Sequence, residues 1–137
     1  MYGQERIRLR ACLAAVHEGK ILLVPHYGTD AGSVQWNIPG GSVAFGESLH
    51  QAALREFSEE TGLQARVTGL LDVSEVILPD RPWHSITITF SGCIAGGELS
   101  PEIHPRYGQK MPRWFSADEI STVKYHPPQA VEKALRP

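Results

Sequence analysis

The stretch from Gly41 to Leu63, GSVAFGESLHQAALREFSEETGL, constrains this chain more than any other segment. It joins a glycine loop to a helical pattern carrying Glu56, Glu59 and Glu60 at i, i+3 and i+4, so three carboxylates leave one helical face. Like charges at that spacing repel by a few tenths of a kcal/mol per pair in water. A bound cation would offset that repulsion. Carboxylates are hard oxygen ligands and suit Mg²⁺ or Mn²⁺ better than soft metals. The Gly40-Gly41 pair permits unusual backbone angles and can offer a carbonyl ligand or a close main-chain contact. Arg55 reaches Glu59 at i+4 and can hold that carboxylate in one rotamer. Glu47, at the helix start, favours the positive end of the dipole and is read as a cap. A metal cluster beside an arginine points to hydrolysis at phosphorus, where the ion activates water and neutralises developing charge.

The rest of the chain reads as a frame for this stretch. Ser48 with Gln51 forms a capping box, Leu49, Ala52, Ala53 and Phe57 make a buried stripe, and Gly62 is placed as the C-terminal cap. Before it, Ile7 to Val16 and Ile21 to Val24 read as strands joined by the turn His17 to Lys20. Tyr27 to Val34 reads as an exposed loop, and Trp36 to Gly41 as a short extended piece stopped by Pro39 and two glycines. After it, Val67 to Ile77 predicts one or two strands, and Pro79 to Pro82 a loop. Ser85 to Ile94 predicts a strand alternating Ile86, Ile88 and Phe90 against Thr87, Thr89 and Ser91. Gly96 to Gln109 reads as a long loop and Trp114-Phe115 as the end of a last strand. Ser116 with Glu119 caps a short helix, and Pro128 to Arg136 forms a closing one. The fold class is therefore α/β with a mixed sheet.

At 137 residues the chain is most simply one domain, with a core of ordinary size. A formal charge of −2 leaves no polybasic footprint, so bulk binding to nucleic acid or anionic membrane is not expected. Cys12 and Cys93 form no CxxC pattern and read as small core residues. Arg6, Arg8 and Arg10 before an apolar run faintly echo a signal peptide, but the run is short and reads as a strand. No segment is long enough to span a bilayer, and a cytoplasmic location is the default expectation.

The spacing of the central stretch is specific. Gly41, five residues, Glu47, seven residues, then Arg55-Glu56-Phe57-Ser58-Glu59-Glu60-Thr61-Gly62-Leu63 resembles the Nudix box without a gap. Seven fixed residue types at fixed spacing match by chance on the order of once in a hundred million start positions. Phe57 stands where the family usually has an aliphatic residue, and being apolar it keeps the core face. The resemblance implies a Nudix fold, an α/β/α sandwich around a mixed sheet, spanning residues 1–137. It also implies Mg²⁺-dependent hydrolysis (Mn²⁺ as an alternative) of a nucleoside diphosphate linked to another moiety. Carried over by position, Glu56, Glu59 and Glu60 are metal ligands, Arg55 orients them, and the Gly40 carbonyl is a further ligand. Family members place the general base inside the box or on a distant loop; here Glu56 is the first candidate and Glu102 a second contributor.

Substrate choice rests on less. Family members acting on ADP-ribose tend to carry a proline sixteen positions past the box, here Pro79. Trp36, Trp83 and Tyr27 can stack on a base or simply pack. ADP-ribose is the first candidate among small nucleotide substrates. A house-cleaning nucleoside triphosphate pyrophosphohydrolase is the alternative within the class. A catalytically silent domain that senses a nucleotide or binds RNA is the alternative outside it, set back by the intact glutamates. A homodimer is left open.

Overall fold

The computed structural model describes residues 5–28 and 32–136. Its elements run β1 (Ile7–His17), β2 (Lys20–Tyr27), β3 (Val34–Asn37), β4 (Gly40–Ser42), α1 (Leu49–Thr61), β5 (Leu63–Leu78) and β6 (Trp83–Gly97), then β7 (Glu102–His104), β8 (Gly108–Lys110), β9 (Arg113–Phe115), α2 (Ala117–Ile120), β10 (Tyr125–His126) and α3 (Pro128–Leu135). The main sheet runs β10-β3-β2-β1-β6-β5, with β4 added to β1 and β9 to β2. It is mixed: β1 lies parallel to β6, from Ile7 opposite His84 to Ala15 opposite Gly92, and antiparallel to β2 and β4.

β1 explains the layering. Ala11, Leu13 and Ala15 point to one face, where they join Ala52, Ala53 and Phe57 of α1 in a buried core. Cys12 and Ala14 point to the other face and join Ile120 of α2 and Ala130 and Val131 of α3. A strand buried on both sides reads as a continuous apolar run, which is what Ala11 to Val16 is. The fold is the expected α/β sandwich around a mixed sheet. Truncating the fully buried Phe57 to alanine would cost about 3–5 kcal/mol.

Helix α1 covers only part of its face. Toward the start of β1, Ile7 and Leu9 are 59% and 40% exposed, and on the same face Val73 and Ile77 of β5 are 58% and 57% exposed. The helix itself forms as its sequence demands. Ser48 Oγ accepts from the Gln51 amide at 3.0 Å, Gln51 Oε1 accepts from the Ser48 amide at 2.9 Å, and Gly62 closes the helix at φ 77°.

One expectation narrows and others change. The region around Val67 to Ile77 is one strand, Leu63–Leu78, kept in pairing with β6 by three register shifts. On β6 the pattern is reversed: Thr87 and Thr89 (7% and 0% exposed) are buried on the α3 side, whereas Ile86 and Ile88 are only partly buried because α1 leaves part of their face uncovered. The loop expected over residues 96–109 contains the β7–β8 hairpin, whose three-residue strands are too short to show a period. The strand ending at Phe115 is not the last: β10 follows and pairs in parallel with β3. Residues 29–31 of the expected exposed loop lie outside the described residues, and its end residues Tyr27 and Val34 belong to strands.

Candidate active site

The floor of the site is backbone. Gly40 and Gly41, expected to stop a strand, instead form β4 and pair with Cys12 and Ala11 of β1. Neither position has room for a side chain. A Cβ on Gly40 would strike Cys12 Sγ and the Ala11 carbonyl, and a Cβ on Gly41 would strike the Glu56 carboxylate. Helix α1 packs against β1 and β4, so Glu56 and Glu60 rest on this floor, and the Gly40 amide donates to Glu60 Oε1 at 3.3 Å.

Two carboxylates so placed cannot both be comfortable as anions. Burial first, then the charge of Glu56, pushes Glu60 up to about 8; the charge of Glu102 adds to this and the Gly40 amide opposes it. Burial likewise pushes the neighbouring Cys12 thiol up to about 12, so it stays neutral. A hard divalent cation fits the donors, which are all oxygen and crowded beyond what their own charges allow. Among the described residues no three His, Cys, Asp or Glu side chains enclose an ion by themselves.

The rim is organised differently. Arg55 Nε donates to Glu47 Oε2 at 2.7 Å and Nη2 to Glu47 Oε1 at 3.1 Å, a two-pronged pair. Its Nη1 stands 3.4 Å from Glu56 Oε2 and from both oxygens of Glu59, and Nη2 also donates to the Ser42 carbonyl at 3.3 Å. Arg55 therefore reaches Glu59 as the spacing predicts, but its principal partner is Glu47. Glu47 in turn accepts from the Ala44 amide at 3.1 Å, and Ser48, not Glu47, caps the helix. The Arg55 hydrogen bond, then the Ala44 amide, holds the Glu47 carboxyl below its ordinary range. Glu59 remains 54% exposed.

The β7–β8 hairpin supplies a wall. Glu102 pairs with Lys110 at 3.7 Å and stands close enough for its charge to act on Glu60. Lys110 acts in turn on His26 of β2, and Tyr107 at the hairpin tip stacks obliquely on Tyr27 at 5.3 Å. Burial first, then Lys110 and Arg10, lowers the His26 pKa; burial, then Arg10, lowers that of His126. Sequence reasoning missed Lys110, His26 and His126 because only sheet pairing brings them here.

Gly40, Arg55, Glu56, Glu59, Glu60 and Glu102 thus converge. The three residues expected to bind the substrate elsewhere do not join them in the same way. Trp36 packs edge-on against Phe115 at 4.9 Å and lies on the core under α3. Trp83 sits beneath the Arg8 guanidinium at 4.0 Å and donates to Ser85 Oγ at 3.1 Å. With Pro79, Pro82, Ile7 and Ile77 it lines a depression of about 370 Å³ at the tip of the β5–β6 hairpin, and no carboxylate of α1 lines it.

Comparison with known proteins agrees with this architecture. The profile of the NUDIX domain matches residues 7–135. Phosphatase NudJ of Escherichia coli K12 is 34% identical over 111 residues, covering 80% of this chain and 68% of NudJ. An ADP-ribose pyrophosphatase of Methanocaldococcus jannaschii is 44% identical over 62 residues, which is 45% of this chain but only 37% of that enzyme. A MutT NUDIX hydrolase structure from Burkholderia pseudomallei superposes with a TM-score of 0.77 at 26% identity, covering 93% of this chain and 98% of that one. No helix among the described residues is long and apolar enough to cross a membrane. With its box intact, its glutamates gathered on a glycine floor and its whole sheet matched, the chain belongs to the Nudix hydrolase family.

Proposed function

We propose that the protein hydrolyses the pyrophosphate bond of a nucleoside diphosphate derivative, with ADP-ribose the leading substrate and Mg²⁺ (or Mn²⁺) as cofactor. The observation that carries this reading is the crowded Glu56–Glu60 pair on the Gly40-Gly41 floor. Glu56, Glu60 and Glu59, with the Gly40 carbonyl, would hold the ion. When bound, it neutralises charge on the phosphate oxygens and lowers the pKa of water. Glu56 takes the proton from the attacking water, with Glu102 as a second carboxylate near the same space. The water oxygen bonds to phosphorus, the bridging P–O bond breaks, and the released phosphate carries away the bonding electrons. Arg55 keeps the rim carboxylates in place through Glu47. Pro79 and Trp83 are read as contacts for a distal part of the substrate, and Trp36 as a support behind the site.

Incubation with ADP-ribose and Mg²⁺ should release AMP and ribose 5-phosphate. If no member of a nucleotide panel is cleaved, the proposal is wrong. A second reading, release of inorganic phosphate, is favoured by the similarity to phosphatase NudJ over 80% of the chain. The same panel separates the two by product, and pyrophosphate release would mark the triphosphate alternative. The uncovered apolar end of the sheet, with Ile7, Leu9, Leu70, Val73 and Ile77 at 40–65% exposure, supports a homodimer. Side chains of this size exposed together amount to several hundred Å², against about 800 Å² per partner in a standard interface. Light scattering at twice the chain mass is the expected result.

A further inference from the structure

Arg10 is the arginine at the start of β1 that pairs with the box strand β4. It sits in register between Ser42 of β4 and Thr87 of β6, on the same face of the strand as Cys12. Arg10, Glu56 and Glu60 all stand close enough to act on the Cys12 thiol. Arg10 also stands near His26 and His126, and Lys110 stands near His26. Since Glu102 joins Lys110 to Glu60, these residues close a ring: Glu60, Glu102, Lys110, His26, Arg10, Cys12. One arc is acidic and the opposite arc is cationic.

Arg10 is half-buried, and among the described residues no carboxylate lies within ion-pair distance of its guanidinium. A charge withdrawn from water without a counter-ion is unfavourable. A neutral thiol does not cancel it. Other arginines differ: Arg55 is saturated by Glu47, Arg113 lies 3.9 Å from Glu119, and Arg66 is exposed to water. Phosphate oxygens are the partners a planar guanidinium meets best, by two parallel hydrogen bonds.

We propose that Arg10, assisted by Lys110, is the phosphate-gripping side of the cleft. It would bind the diphosphate of the substrate across Cys12 from the carboxylates of Glu56 and Glu60. This rests on the hydrolase reading for the substrate's place in catalysis, but the diphosphate contact itself does not need turnover. It also assigns a division of labour: the acidic arc takes the cation, and the cationic arc takes the phosphate charge that the cation leaves.

The test compares the wild-type protein with Arg10→Gln, Arg10→Lys and the exposed control Arg66→Gln. ADP binding is measured by calorimetry in EDTA, and ADP-ribose hydrolysis in Mg²⁺. A charged hydrogen-bonded contact of this kind predicts an ADP affinity and a KM each worsened by about 10- to 100-fold in Arg10→Gln. Arg10→Lys should recover part of both, and Arg66→Gln should match wild type. Unchanged ADP affinity and KM in Arg10→Gln would overturn the inference while leaving the hydrolase reading intact. So would a loss in Arg10→Gln that Arg66→Gln reproduces. A wild-type protein that cleaves no nucleotide, yet loses ADP affinity on Arg10→Gln, would overturn the hydrolase reading and uphold the diphosphate site. Should Arg10→Gln fail to fold, Arg10→Lys decides by the same two measurements: affinity and KM equal to wild type in that variant would count against a two-pronged grip.

Discussion

The segment from Glu47 through helix α1 carries two groups of carboxylates that look alike in the sequence and meet different conditions in the fold. On the rim, Glu47 and Glu59 share Arg55, whose tightest contact is 2.7 Å, and Glu59 stays half in water. On the floor, Glu56 and Glu60 face each other over glycine backbone, with one amide on Glu60 and Arg55 Nη1 3.4 Å from Glu56. The rim has its counter-charge built in. On the floor only Glu56 shares that counter-charge, and burial beside Glu56 leaves Glu60 holding a proton to about pH 8. A pre-paired carboxylate positions its neighbours; an unpaired buried one waits for a cation. The difference between adjacent residues such as Glu59 and Glu60 is therefore set by what the helix lies on, not by the helix.

The contrast can be broken hardest at the floor. Glu56→Gln should lower kcat by about 10²–10⁴-fold, the usual range for losing a proton-transfer group, with ADP affinity in EDTA little changed. Assaying the rim next, Arg55→Ala should cost about 10- to 100-fold in activity through misplaced ligands, and raising Mg²⁺ should restore part of it. If Arg55→Ala is as damaging as Glu56→Gln at saturating Mg²⁺, the two groups are not functionally distinct.

The pH dependence sharpens the same contrast more gently. Glu60 has a folded pKa above its ordinary 4.5, so the folded protein holds a proton that the unfolded chain has lost. The stability this proton confers is complete below about 4.5 and is lost as pH rises toward about 8. In EDTA, Tm should fall across that window, and Glu60→Gln should flatten the fall. Added Mg²⁺ should raise Tm most at the alkaline end, where proton competition is weakest. The smallest effect belongs to the helix start: Ser48→Ala removes a cap worth about 1 kcal/mol and should lower Tm by a few degrees while leaving KM unchanged.

The helix and its acidic residues were legible from the sequence because their logic is local: a capping box, a 3.6-residue stripe and a glycine stop all lie within one short span. The two-sided burial of β1 was legible for the same reason, as an unbroken apolar run. The opposite wall was not. Glu102 was a bare candidate until the β7–β8 hairpin set it near Glu60, and Lys110 and His26 carry no pattern that marks them. In the sequence Arg10 is only one of three arginines ahead of an apolar run. Its partners, Cys12 excepted, come from β4, β6, β2 and the segment before α3, so only tertiary pairing shows what it faces. Trp36 is ambiguous in the sequence, since an aromatic beside a glycine loop reads the same whether it stacks on a base or on Phe115, against which it packs.

The parallel pairing of β1 with β6 has a consequence for how the molecule is made. Ile7 meets His84 only after the whole of the box has been synthesised, and parallel, non-local pairings of this kind are slow to form. Until they do, β1 has only β2 and β4 beside it, and α1 lies on an unfinished sheet. The ion can then recognise only the finished fold. Mg²⁺ should accordingly slow unfolding and leave the refolding rate nearly untouched, acting as a latch on the completed sheet and not as a nucleus for it.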